Sequence, residues 1–412
     1  MMIFMLFLLY FVAGILVFYA FFPLLSMWWA GIKGQPVAVA VEKSKNADYA
    51  CIITAYGDAS IAVQQVHSIL KQSYNKFHIY MVCDHCLDRP VFPDHPQLTI
   101  LYPEISLHSK IKSIQSAMQA FIRKHTYILI LDADNLLHAS VLEKMNQMVN
   151  SGFKAIQGQR TAKNLDTPIA ALDALSELYY NISQRWAPYC IGSSATIAGS
   201  GMAIEAAFFN NYVKTLLGEG DKLILAEDKL LQMMLVESGI RIAYCREALI
   251  FDEKVREGAQ VQRQRTRWLR SWFDHWGQAM KITGAGLKTG NWNRFYFGLM
   301  LSVPPMFLLV GGLIGLGVAG IFFSTTLLLL AISGLGLFIV GFLWALLLAP
   351  APNAVWAAIP FIPVFVVRQL LAIFKIKASS KDFMATTHTQ QLSIETVWSQ
   401  RKNDFPYLKS EW

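Results

Sequence analysis

Two aspartates one residue apart, Asp132 and Asp134, close an apolar run at 127–131 (YILIL). Carboxylates that close repel one another, and capping a helix needs only one of them. The pair therefore points to a divalent cation: hard oxygen ligands suit Mg²⁺ or Mn²⁺, and such sites often take substrate phosphates too. Asp58 and Asp84 likewise follow apolar runs at 49–54 and 77–83, although a single aspartate after a strand is also an ordinary turn residue. Downstream, Glu227 and Asp228 open a helical pattern whose Leu230, Leu231, Met234 and Leu235 are apolar. Acids suit the positive end of a helix, and a carboxylate here could also act as a general base. Residues 262–276 (QRQRTRWLRSWFDHW) gather Arg263, Arg265, Arg267 and Arg270 with Trp268 and Trp272. Guanidinium groups pair bidentately with phosphate, and at the helical period the same stretch reads as an amphipathic membrane-surface helix.

The elements that must position these acids alternate. Strands are expected at 49–54, 77–83, 97–102 and 127–131, and helices at 61–72, 109–124 and 229–237, with Ile111, Ile114, Ala117, Met118 and Phe121 on one face of the second. Near-continuous apolar strands alternating with helices predict an α/β domain with a mostly parallel sheet covered on both faces. Ligands bind such sheets beyond the C-terminal ends of the strands, where Asp58, Asp84, Asp132 and Asp134 stand.

Of 412 residues, 54% are hydrophobic and only 16% charged, against about a quarter charged in ordinary soluble domains. This excludes disorder, a disulfide scaffold and a fully soluble enzyme. No Asp, Glu, Lys or Arg occurs at 1–32 or at 295–367. The first of these segments holds a span at 3–25, too long and too free of preceding basic residues for a signal peptide. The second has room for spans at 295–317 and 325–348. Lys33, Lys43 and Lys45 follow the first span, so the positive-inside rule places the polar block in the cytosol. If 353–377, broken by Pro360 and Pro363, crossed as a third C-terminal span, the basic tail would lie outside, so it reads as an interfacial or re-entrant helix. The spans lack ionisable groups, which argues against a transporter. The net charge of +8 fits a membrane surface and phosphorylated substrates more economically than nucleic acid. Five scattered cysteines suit reduced thiols in the cytosol, and the isolated Cys83–Cys86 pair reads as strand-end packing.

Strand–Asp, a lysine-bearing helix, DxD, Glu-Asp, Gln264-Arg265-Thr266-Arg267-Trp268 and then membrane, in this order, resembles the membrane-embedded family 2 glycosyltransferases. These include cellulose, chitin, hyaluronan and poly-N-acetylglucosamine synthases and, more distantly, ceramide glucosyltransferases. The resemblance covers roughly 49–388. It implies a GT-A-type, Rossmann-like cytosolic domain with transmembrane and interfacial helices, and a nucleotide-sugar donor, usually a UDP-sugar. The domains are then a transmembrane helix at 1–32, the glycosyltransferase domain at 33–256, interfacial helices at 257–294, two transmembrane helices at 295–350, the interfacial or third membrane helix at 351–377 and a cytosolic tail at 378–412. Position by position, the resemblance gives Thr54, Ala55 and Tyr56 to the base and ribose and Asp84 to the base. Lys110 matches the donor-helix lysine. Asp132 falls near the ribose and diphosphate and with the metal, and Asp134 on the metal. Gly199, Ser200, Gly201 and Glu227 fall beside the acceptor, and Asp228 matches the catalytic base. Gln264, Arg267 and Trp268 match the motif over diphosphate and acceptor. Phe383, Thr386 and His388 resemble a gating loop, with Ala385 and His388 where cellulose synthases carry Val and Lys.

The chemistry that follows is one in-line attack on the anomeric carbon, with inversion, assisted by Mg²⁺ or Mn²⁺. Asp228 takes the acceptor proton, while the metal and Arg267 neutralise the leaving diphosphate. The acceptor is expected to be the growing end of an extracellular or capsular polysaccharide, the alternative being a lipid or ceramide-like acceptor. A polymer would call for a homo-oligomer or an export partner, because few spans are present to line a conduit. The expected location is the plasma (inner) membrane, multi-pass, with the catalytic domain cytoplasmic and membrane lipids as partners. A non-catalytic membrane subunit is the remote alternative, opposed by the complete set of acids.

Overall fold

The computed structural model describes residues 2–36, 46–218, 227–349, 351–373 and 390–408. The chain divides into two compact units: one made of 37–165, 194–254 and 381–412, the other of 1–36, 166–193 and 255–380. The sequence reading instead kept 33–256 together and set the tail apart.

The first unit is built on eight strands: β1 (Tyr49–Tyr56), β2 (Phe77–Asp84), β3 (Leu98–Leu101), β4 (Tyr127–Asp132), β5 (Leu136–Leu137), β6 (Ala155–Ala162), β7 (Met202–Glu205) and β8 (Ile242–Asp252). Their order across the sheet is β3-β2-β1-β4-β7-β6-β8-β5. β1 lies between β2 and β4, parallel to both. Its near-continuous apolar sequence fits a strand covered on both faces, and Tyr49–Ile53 are wholly buried. The parallel expectation holds for β3-β2-β1-β4. Beyond β4 the sheet is mixed: β7 runs antiparallel to both its neighbours and β5 antiparallel to β8, while β6 and β8 are parallel.

β6 and β8 pair in parallel with a register shift between Gly158 and Gln159. A Cβ at position 158 would lie 2.5 Å from Ile250 Cδ1 and 3.0 Å from the Ala248 carbonyl oxygen, so glycine eases the close packing at this irregularity. The shift re-aims the end of β6, as bulges beside functional sites do. Residues 390–408 return to the same unit. Ile394, Val397, Trp398 and Phe405 are buried against Leu136, Leu249 and Phe251. Arg401 donates to the Ala162 carbonyl and Lys71 pairs with Glu395.

In the second unit, Ile3–Lys33, Met306–Phe323 and Thr325–Leu348 are long and apolar enough to cross a membrane. They pack through small contacts: Ala13 and Ala331 lie in one buried cluster, and Gly320 lets the Leu328 backbone approach so closely that a Cβ there would be 2.4 Å from its nitrogen. The expected span at 295–317 is displaced. Trp292–Ser302 forms its own helix, and the span begins only at Met306. Pro304 and Pro305 explain the break, since proline lacks an N–H and restricts the residue before it. The segment expected at 353–377 appears as short pieces, Asn353–Ala358, Ile359–Phe361 and Ile362–Ile373.

Residues 166–193 also belong to this unit and were not anticipated. They form Pro168–Tyr180, a π-helical turn at Asn181–Trp186 and Ala187–Cys190. Arg185 bonds Glu177 and Asn181, and Arg265 of the long helix Gly258–Thr289 bonds Asp173 at 2.7 Å.

Candidate active site

Three strands deliver the site acids in register. Thr54 is the β-partner of Asp132, and Tyr56 that of Asp84, so the C-terminal ends of β1, β2 and β4 form one rim. Asp84 is buried, and its two oxygens accept from the Leu107 and His108 backbone N–H groups at 2.8 and 2.9 Å. It thereby holds the loop that starts helix Lys110–Gln119.

Lys110, in the first turn of that helix, donates to Asp132 at 2.5 Å and to the Gly199 carbonyl at 3.0 Å. Gly199 has φ +81°, and a Cβ on it would lie 3.5 Å from a carboxylate oxygen of Asp228. Asp132, Lys110, Gly199 and Asp228 are thus one continuous cluster. Burial works against the Lys110 ammonium, yet Asp132, Glu227 and Asp228 overcome it and hold the pKa above its ordinary value. Glu227 is pushed up by burial, with Lys110 pulling the other way and Asp228 reinforcing the rise. One ammonium faces three carboxylates.

Asp134 is held by a different set of partners. It is buried, accepting from the Glu253 backbone N–H at 2.8 Å and from the Asn135 amide at 3.2 Å. Asn135, fully buried, also accepts from Asp132 N and so fixes the turn between the two aspartates. No three His, Cys, Asp or Glu residues converge as a ready-made metal centre among the described residues. The donors nevertheless fit a hard divalent ion. Each carboxylate has about four lone-pair positions, so the hydrogen bonds named leave capacity, and Mg²⁺-type ions commonly complete their shell with phosphate and water. The surplus of carboxylate over ammonium would otherwise repel an anionic donor.

Of the other expected residues, Ala55, Ser200 and Gly201 are buried, and Gln157 donates to the Ser200 and Gly201 carbonyls behind Gly199. Gln264, Arg267 and Trp268 lie on helix Gly258–Thr289 of the other unit, where Arg267 and Trp268 are exposed. Phe383, Thr386 and His388 fall outside the described residues.

The sequence reading missed two groups. His85 and His108 both adopt left-handed backbone, at φ 54° and 47°, a costly conformation for residues other than glycine. They flank Tyr56, whose ring stacks with His85 at 5.7 Å and whose hydroxyl meets His108 Nδ1 at 2.8 Å. The second group is a buried ionic network from Asp252-Glu253-Lys254. Asp252 binds Arg160 and Lys254, and Lys163 sits 3.9 Å from Glu253. That charged triplet at the end of an apolar strand was the available signal.

A protein-family model described as Glycosyltransferase like family 2 matches residues 47–271. No curated protein matches the sequence. Among solved structures, the chain is similar to the mannosyltransferase PcManGT from Pyrobaculum calidifontis, in complex with GDP-Man and Mn²⁺. The TM-score is 0.54 at 16% identity, covering 90% of this chain and 100% of that one. S. aureus TarS also matches, at 13% identity and TM-score 0.33, covering 53% of this chain and 38% of that one.

Proposed function

We propose, since this chain belongs to glycosyltransferase-like family 2 and transfers a sugar from a nucleotide donor, that it is an inverting, divalent-metal-dependent hexosyltransferase with Asp228 as general base. The observation that carries this reading is the continuity of Asp132, Lys110, Gly199 and Asp228. It sets a proton acceptor in the same cluster as the strand-end acid.

Asp228 accepts the proton of the acceptor hydroxyl as its oxygen attacks the anomeric carbon. The C–O bond to the diphosphate breaks on the opposite side, so the carbon inverts. When bound, Mg²⁺ or Mn²⁺, held by Asp134 and Asp132, supplies charge neutralisation for the departing diphosphate. Lys110 orients Asp132 and offsets its charge. Tyr56, with Thr54, Ala55 and Asp84, takes the nucleoside, and Gly199 leaves room for the acceptor beside Asp228 and Glu227. Ser200 and Gly201 shape that loop from behind. Gln264, Arg267 and Trp268 are given diphosphate and acceptor contacts from their motif alone.

The donor is a nucleoside diphosphate sugar, a UDP-sugar on the family resemblance. GDP-mannose is the second reading, favoured by the PcManGT complex. The acceptor is a growing polysaccharide, which would call for self-association or an export partner. A lipid acceptor is the second reading, favoured by Phe273, Trp276, Met280 and Leu287, exposed along one side of helix Gly258–Thr289. The catalytic unit lies on the cytoplasmic face of the plasma membrane. In support, Lys33 ends the first apolar helix, so a cysteine at Ser324 should label from outside intact cells.

The test is release of nucleoside diphosphate by purified protein from a panel of UDP- and GDP-sugars, with Mg²⁺ or Mn²⁺. Turnover with one donor, abolished by chelator, supports the proposal. Undiminished turnover in excess chelator overturns the metal, and no turnover with any donor and acceptor overturns the reaction. Sizing the product then separates polymer from single-sugar lipid.

A further inference from the structure

The segment that returns after the last membrane-unit helix reaches the second aspartate through a short chain of bonds. Asp134 accepts from the Glu253 backbone N–H at 2.8 Å. The Glu253 carboxylate accepts from the Gln390 backbone N–H at 3.1 Å. Lys163 Nζ donates to the Gln390 carbonyl at 2.5 Å and lies 3.9 Å from the Glu253 carboxylate. Both polar groups of the Gln390 backbone are therefore engaged, by two ionised side chains that are themselves 1% and 5% exposed. Charge-assisted bonds to buried groups are the strong ones. Beyond Gln390 the segment is fastened independently. Ile394, Val397, Trp398 and Phe405 are buried in the cluster on β5 and β8, Tyr407 bonds Gln159 at 3.1 Å, and Arg401 reaches the Ala162 carbonyl. β8 ends at Asp252, one residue before Glu253. Docking of the segment and placement of Asp134 thus act on one short stretch of backbone.

We propose that Glu253 and Lys163 are positioning residues that couple docking of residues 390–408 to divalent-cation binding at Asp134. The proposal rests on the reading of Asp134 as a metal ligand. Outer partners of metal-ligating groups typically change metal affinity 10- to 100-fold, and a link through the backbone belongs near the lower figure. Coupling of this kind is reciprocal. If the docked segment tightens cation binding roughly tenfold, then saturating cation must stabilise docking by the same factor.

The experiment uses the full-length protein in detergent, with Mn²⁺ alone as probe. It reads two quantities other than turnover: the Mn²⁺ dissociation constant, by electron paramagnetic resonance of the free ion, and amide hydrogen exchange in 390–408. In the wild type, saturating Mn²⁺ should slow exchange of that segment roughly tenfold. Glu253→Ala should weaken Mn²⁺ binding roughly tenfold and abolish the Mn²⁺-dependent slowing. Glu253→Gln, which keeps an acceptor for the Gln390 N–H, should recover most of both. Gln390→Pro removes that N–H while leaving Glu253 in place, and should reproduce Glu253→Ala even if the alanine variant folds poorly. Exchange in 390–408 indifferent to Mn²⁺, or wild-type affinity in Gln390→Pro, overturns the coupling. Asp134→Asn separates this from failure of the metal reading. Loss of Mn²⁺ binding there with wild-type affinity in Gln390→Pro rejects only the coupling, whereas unchanged Mn²⁺ binding in Asp134→Asn rejects both.

Discussion

The two halves of the eight-stranded sheet handle charge in opposite ways. On the parallel half, Asp132 keeps a side chain 40% exposed and is paired with one lysine. Glu227 and Asp228 stand half-buried nearby, and Lys110 is shared among the three acids. On the half that contains β6 and β8, Asp252, Glu253, Lys254 and Lys163 are almost wholly buried and neutralise one another. The first set of charges stays partly accessible around one lysine, and the second is buried and closed upon itself. Asp134 lies on the boundary, next in the chain to the accessible pair but bonded into the buried network.

The sharpest way to break this contrast is to neutralise one charge on each side. Asp228→Asn should lower the transfer rate roughly 10²–10⁴-fold, the usual contribution of a general base, with donor binding and thermal stability near wild type. A raised donor Michaelis constant at near-normal turnover would make Asp228 a binding residue instead. Asp252→Asn should do the reverse. It leaves the buried Lys254 and the partly buried Arg160 without their anion, which typically costs about 3–5 kcal/mol. The readout is the unfolding midpoint, with activity per folded molecule largely retained.

Acid should find a buried histidine in each half, His78 on β2 and His138 just after β5. Burial holds His78 and His138 down to about 4, from an ordinary 6.5. Below 6.5 the unfolded chain binds protons that the folded chain refuses. Stability is therefore full above 6.5 and falls as pH drops towards 4, by about 1.4 kcal/mol per pH unit for each histidine. Unfolding midpoints measured from pH 7 to pH 4.5 should fall with acid, and the slope in His138→Gln should be one proton smaller than in the wild type. The smallest effect belongs to the nucleoside rim. His85→Gly relieves a left-handed backbone and should stabilise the fold by about 1 kcal/mol, while raising the donor Michaelis constant through loss of the Tyr56 stack. An unchanged Michaelis constant would remove His85 from donor binding.

Much of the parallel half was readable along the chain. YACIIT, FHIYMVC and YILIL are apolar runs bounded by turn residues; the last two end directly on an acid, and Asp58 follows the first a few residues on. Burial on both faces leaves that signature whatever the neighbours are. The helix carrying Lys110 declared itself through Ile111, Ile114 and Ala117, all buried as the spacing requires. The reversal at β7 was not readable, because strand direction depends on pairing partners and not on local composition. The displacement of the second span was readable in principle from Pro304 and Pro305, but the uncharged run around them masked the break.

By itself the sequence determined which residues could do chemistry, and that three segments are apolar enough to cross a membrane, because side-chain chemistry and hydropathy are properties of the chain. It also determined the α/β half that presents Asp84 and Asp132, because period and strand-end position are local. Only the tertiary structure decided that Gly199 bridges Lys110 and Asp228, that 166–193 belongs with the apolar helices, and that Gln390 closes on Glu253. Each of these contacts joins residues far apart in the chain. They form from burial and hydrogen bonding between distant segments, and no local pattern records which distant partner will complete a contact.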